Sequence, residues 1–176
     1  MTTAMRHAAV LLAAAMFVSG CDRIFPRKPD MTLPPIADVR GAYKEQGFRG
    51  TVTLDGNIVH LRVEQDVEHL RRGGTLWARV GPYIFLFSPA TKRILETWPG
   101  IAAVRVVTVL PDGTEIARAT VAQGALREGE WRRSHNLLGH ALQSGTEKPR
   151  HIDDLVRWGE QHTKYRYNPR FIPPRE

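Results

Sequence analysis

The sequence predicts an α+β domain, an antiparallel or mixed sheet built from β-hairpins with about four helices packed on one face. Two observations carry this. Asp55-Gly56 and Asp112-Gly113 are favoured turn pairs, each flanked by alternating apolar and polar residues. Other segments carry apolar residues at helical spacing, with start and stop signals at their ends. The length of 176 residues suits one domain. With 42% hydrophobic and 24% charged residues, the composition is globular and argues against wholesale disorder.

Ile36 to Gln46 reads as a short helix. Pro34-Pro35 opens it, Ile36, Val39 and Tyr43 share a face, and Gly47 closes it. With Asp55-Gly56 as the turn, Val52 lies opposite Val59. Leu54, Leu61 and Val63 fall on that same face, and Thr53, His60 and Arg62 on the other, as in a sheet with one buried side. Gln65 to Gly74 is polar and reads as a short helix or a loop. Leu76 to Val80 and Tyr83 to Phe87 read as strands split by Gly81-Pro82, either a hairpin or one strand with a break. Tyr83 to Phe87 is the candidate central strand, covered on both faces. Ser88-Pro89 is an N-cap followed by proline at the first helical position. Ile94, Leu95 and Trp98 make the buried stripe of that helix, and Pro99-Gly100 ends it.

Val104 to Leu110 and Thr114 to Val121 flank the second turn. Val104, Val106 and Leu110 share a face with Ala117, Ala119 and Val121, while Arg105, Arg118 and Thr120 take the wetter side. Glu130 to Gln143 places Trp131, Leu138, Ala141 and Leu142 on one stripe. Arg150 to Thr163 turns Ile152, Leu155, Val156 and Gly159 inward, with Asp153 and Asp154 near its start where the helix dipole favours them. The domain is expected over 36–165, with an extended aromatic and basic tail over 166–176.

The N-terminus reads differently. Met1 to His7 carries Arg6, and Ala8 to Val18 is an apolar run of eleven. That is short of the roughly 20 residues a spanning helix needs, and suits a signal-peptide core. Val18-Ser19-Gly20-Cys21 follows: an aliphatic residue, two small ones, then cysteine. This resembles the lipobox of bacterial lipoproteins. The resemblance covers residues 1–21 and implies cleavage of 1–20, diacylglyceryl transfer to the Cys21 thiol and acylation of the new amine, palmitate included. The alternative is an ordinary secretory signal with a chance cysteine. Acyl burial gives about 0.8 kcal/mol per CH₂, so two or three chains hold a protein stably. Asp22 stands at the sorting position; in enteric lipoproteins aspartate there goes with retention in the inner membrane. The resemblance therefore implies a lipid-anchored protein on the periplasmic side, inner membrane favoured and outer membrane the alternative.

Residues 21–35 read as lipidated cysteine and tether. Pro26, Pro29, Pro34 and Pro35 stiffen it. Its fourteen residues from Asp22 to Pro35 reach up to about 40 Å at roughly 3.1 Å each. Arg23, Arg27 and Lys28 lie close to the headgroups, each worth about 1 kcal/mol on an anionic surface, or are merely solvated.

The formal net charge is +7; without residues 1–20, 24 basic groups stand against 18 acidic ones, leaving +6. Such a surplus suits nucleic acid, anionic headgroups or an acidic protein face. With an export signal, no nucleic acid is expected, and the remaining alternative is a merely soluble basic surface. Cys21 is the lone cysteine, so lipidation leaves no thiol for catalysis, metal or disulfide.

No catalytic set is legible. Ser88, Ser134 and Ser144 sit in no Gly-x-Ser-x-Gly elbow. Asp66, Glu68 and His69 are near in sequence without convergent spacing, and His135 and His140 diverge by about 140° on a helix. Asp153-Asp154 are explained by the helix start, and Gly73-Gly74 is too short for a phosphate loop. Neither a metal nor a cofactor is expected. His135, His140, His151 and His162 lie in the closing helices; they read as surface histidines or as a pH response.

The aromatic and basic tail is the unusual feature. Tyr165, Arg166, Tyr167, Arg170 and Phe171 are the candidate partner-binding residues. Alternatively the same mix suits anionic headgroups or the carboxylates of cell-wall peptides, or the tail packs back over the sheet, burying its rings and leaving its cations wet. The expected function is a non-catalytic binding or adaptor module for an envelope protein complex. A carrier of a small or lipidic ligand, which needs a large apolar cavity, is the alternative. An envelope enzyme with a scattered site is a third reading.

Overall fold

The computed structural model describes residues 30–172. The signal segment, the lipobox with Cys21, Asp22, and Arg23, Pro26, Arg27, Lys28 and Pro29 of the tether lie outside the described residues.

Strand β1 (Thr51–Asp55) and strand β2 (Ile58–Glu64) form the first hairpin. Its turn depends on Gly56, whose φ of 55° suits glycine. Gly56 and Asn57 are the two central residues, because Asp55 pairs with Ile58. Glycine first, followed by a residue without positive φ, is the II′ pattern. From sequence, Asp55-Gly56 reads as the turn and Val52 as the partner of Val59; the register is instead Val52 with Leu61 and Leu54 with Val59. A shift of two leaves each side chain on its expected face, since the strand period is two.

Strand β3 (Ala103–Val109) and strand β4 (Glu115–Ala122) form the second hairpin. The Gly113 N–H donates to the Leu110 carbonyl at 2.8 Å, and the Asp112 carboxylate accepts the Thr114 N–H at 2.8 Å. The register shifts between Thr108 and Val109, but Val104, Val106 and Thr108 face Val121, Ala119 and Ala117 as alternation requires.

The five strands lie in chain order, with β2 and β3 parallel and the other neighbours antiparallel. A parallel join needs a crossover. Helix α2 (Val67–Leu86) and helix α3 (Pro89–Thr97) supply it. Here the sequence expectation fails. Leu76 to Val80 and Tyr83 to Phe87 are not strands; they belong to the second part of α2 and the turn after it. Val80, Tyr83 and Phe87 recur at three and four residues and are buried. A short apolar run does not by itself distinguish a strand from a buried helix, and burial here outweighs the N–H that Pro82 lacks. Gly74, at φ 59° and ψ −150°, breaks α2 in a region open to glycine alone.

Helix α1 (Ile36–Lys44) buries Val39, Ala42 and Tyr43 against α3 and β1. In α3 the Ser88 hydroxyl accepts the Thr91 N–H, the expected cap. Helix α4 (Glu128–Ser144) and helix α5 (Pro149–His162) pack on each other, and α5 packs on α2. On α4, Leu142 is 64% exposed rather than buried. The inward stripe is Trp131, Ser134, Leu138 and Ala141. Ser134 is tolerated there because its hydroxyl donates to the Glu130 carbonyl and accepts the Trp158 indole N–H, both at 2.8 Å. Finally, Lys164–Tyr167 forms strand β5 against β4, so the sequence boundary at 165 falls inside a strand.

The α2–α5 contact makes a stability prediction. A Cβ on Gly159 would overlap the Tyr83 ring, whereas one on Gly139, mid-helix in α4, would meet nothing. Gly159→Ala should lower the urea midpoint by the equivalent of about 1–3 kcal/mol. Gly139→Ala should raise it by up to about 1 kcal/mol. Equal effects would contradict this packing.

Candidate functional site

Each hairpin has an apolar and a polar side. Because β2 and β3 pair in parallel register, with His60 beside Arg105 and Arg62 beside Val107, the two polar sides become one face. Helix α2 packs on β3 and β4 from the other side. Read across the strands, one row is Thr53, His60, Arg105, Thr120 and Lys164. The next is Thr51, Arg62, Val107, Arg118 and Arg166. Rows two residues apart are about 7 Å from each other, and β2 to β5 spans about 14 Å.

Five cations and His60 thus share a flat patch. Arg62, Lys164 and Arg166 are exposed; His60, Arg105 and Arg118 are half-buried. Arg105 Nε donates to the Thr120 hydroxyl at 3.2 Å. Arg118 lies 3.4 Å from Glu115, a half-exposed pair of little energetic weight. Asp55 borders the patch at one end, and Glu64 and Glu115 at the other. Among the described residues, Lys164 and Arg166 have no ion-pair partner. Burial holds the His60 imidazole below its ordinary pKa of 6.5; the Arg105 cation adds to this and Asp55 opposes it.

The tail residues do not form one surface. Arg166 joins the cationic face. Tyr167 is half-buried on the helix side, where its hydroxyl donates to Glu160 at 3.0 Å and lies 2.9 Å from the Tyr83 hydroxyl. Arg79 donates to the same carboxylate at 3.1 and 2.6 Å, and both ionic side chains are 13% exposed. Burial raises the Tyr83 and Tyr167 phenols well above their usual range, so both stay neutral. This cluster is a hydrogen-bonded clamp between β5, α2 and α5. Phe171 packs beside Ile116 and Ile172. Tyr165 is 46% exposed, with its ring 4.9 Å from that of Tyr167, and Arg170 is exposed.

Sequence reasoning does not find one Ser–His pair. Ser144 Oγ and His151 Nδ1 are 2.8 Å apart at the α4–α5 turn. Among the described residues no carboxylate hydrogen-bonds His151, so the orienting third group of a nucleophilic site is missing. No group of three or more His, Cys, Asp or Glu among the described residues is placed to hold a metal. No helix among them is long and apolar enough to cross a membrane. A cleft of about 150 Å³ lies between the end of β2 and α2, lined by Val63, Leu70, Trp77 and Phe85 among others. Among the described residues, the buried Gln65 Oε1 at its edge has no hydrogen-bond partner.

The patch makes a pH prediction. Burial also lowers His135, aided by Lys92. Both histidines take up a proton less readily folded than unfolded, so the unfolded chain protonates first as pH falls. The stability they contribute is whole above the unfolded value of 6.5 and is lost as pH falls through it toward the folded values. Between about pH 7 and pH 5 the urea midpoint should fall, and His60→Gln/His135→Gln should flatten that slope. An unchanged slope in the double variant would refute this origin.

No protein-family model, curated protein or solved structure matches the chain.

Proposed function

We propose that the chain is a membrane-anchored envelope lipoprotein whose α+β domain is a non-catalytic binding or adaptor module. The cationic open face carries this reading: two adjacent rows of basic side chains on a surface that no element among the described residues covers. The lipobox resemblance at Val18 to Cys21 supplies the anchor, and the proline-containing tether gives the domain its reach. The Ser144–His151 pair without a third group adds no support for an enzyme. The carrier reading takes second place: the apolar cleft beside α2 holds about 150 Å³, below the roughly 300–1,000 Å³ of small-molecule sites, and the larger grooves of about 460 Å³ are lined in part by charged or polar residues, Arg72 and Thr146 in one and Arg40, Lys44 and Arg49 in the other.

Anchoring is tested by metabolic labelling with palmitate. The native chain should take up label and stay with membranes through a high-salt wash. Cys21→Ala should take up none and leave in that wash. A variant that keeps the label, or stays on salt-washed membranes, would overturn the lipid-anchor reading.

A further inference from the structure

Resting on the anchored-lipoprotein reading, we infer that the open sheet face docks flat on the anionic phospholipid headgroups of the membrane that holds the anchor.

The first argument is charge. Arg62, Arg105, Arg118, Lys164, Arg166 and His60 occupy the two central rows, while Asp55, Glu64 and Glu115 are confined to the outer ones. Guanidinium groups offer forked donors that match phosphate oxygens.

The second argument is composition. In those two rows Val107 is the single apolar side chain, and no Phe, Tyr or Trp ring is present. A protein–protein interface depends on aromatic and apolar anchors at a centre depleted of charge. This face has the reverse, an array of cations separated by threonines.

The third argument is where the tether arrives. A Cβ on Gly100 would overlap the Met31 backbone carbonyl, so the incoming chain lies against the domain three residues before β3 begins. The His60–Arg105–Lys164 row is two residues in from that end, about 7 Å along the strands. The nine residues from Asp22 to Asp30 that precede this contact reach up to about 28 Å at roughly 3.1 Å each, which leaves the face free to settle on the surface. Met31, apolar and 62% exposed, sits at the tether's root on the same route. Anchoring raises the local concentration of headgroups, so a face of modest intrinsic affinity suffices. Docking would orient the domain with α2, backed by α4 and α5, turned toward the compartment, where a partner could reach the helices.

The test separates this inference from the anchor. All ten elements among the described residues lie between Ile36 and Tyr167, so a chain beginning at Asp22 lacks Cys21 and keeps every one of them. Its flotation is measured with phosphatidylcholine vesicles, with and without about 30% phosphatidylglycerol as the anionic component. It should float only with the anionic vesicles and be released as salt is raised. At about a factor of five per cation near an anionic surface, Arg62→Gln/Lys164→Gln/Arg166→Gln should bind about 100-fold more weakly. Arg132→Gln/Lys148→Gln/Arg150→Gln removes the same charge from exposed positions on and between α4 and α5, and should bind within a few-fold of the parent. Circular dichroism checks that both variants fold. Absence of flotation by the parent, or equal losses in the two variants, would overturn the inference. Neither outcome touches the anchor, which palmitate labelling reads at Cys21 alone.

Discussion

The parallel pairing of β2 with β3 is the constraint on which the rest of the structure depends. Two hairpins, each apolar on one side, can share a single core only if those sides face the same way. Val59 beside Val104 and Leu61 beside Val106 meet that condition, and all four are fully buried. A parallel join cannot be made by a tight turn, so the chain must cross over the apolar side. Helices α2 and α3 make the crossing and bring Tyr83 and Phe87 as the cover. With the core on one side, the polar side chains of both hairpins have one place left. The cationic face is a geometric consequence of the core's solution.

The clamp beneath β5 serves the same surface. β5 has four residues and lies at the sheet edge, so backbone pairing alone would leave it weakly specified. A largely buried ion pair such as Arg79–Glu160 is costly to desolvate, and the hydrogen bond from the Tyr167 hydroxyl to the same carboxylate offsets that cost. Its clearer contribution is register. Tyr167, tied to Glu160 and Tyr83, sits opposite Ala117, which puts Lys164 and Arg166 on the open side with Arg118 and Thr120. A slip of one residue would turn both cations toward the helices.

What was legible in the sequence was local. The period-two alternation around Gly56 and Gly113 assigns the correct face to Val52, Leu61, Val106, Ala119 and their polar neighbours, even where the first register is off by two. The Ser88-Pro89 cap and the stripes of α1 and α5 are local as well. What was not legible depends on distant partners. The run from Tyr83 to Phe87 has no periodicity long enough to separate strand from helix. Ser134 belongs to the core only because the Trp158 indole reaches it. The candidate site divides the same way: His60 and Arg62 are readable as one polar edge and Arg105 and Arg118 as another. Their union requires β2 and β3 to be neighbours, and no residue within either hairpin announces it.

The most direct measurement is the pattern of through-space proton contacts between β2 and β3 by nuclear magnetic resonance. Contacts pairing Val59 with Val104 and Leu61 with Val106, in a parallel pattern with slowly exchanging amides, are expected. Contacts joining the hairpins antiparallel, or through β1 or β4, would separate the two cation rows and contradict the account at its root.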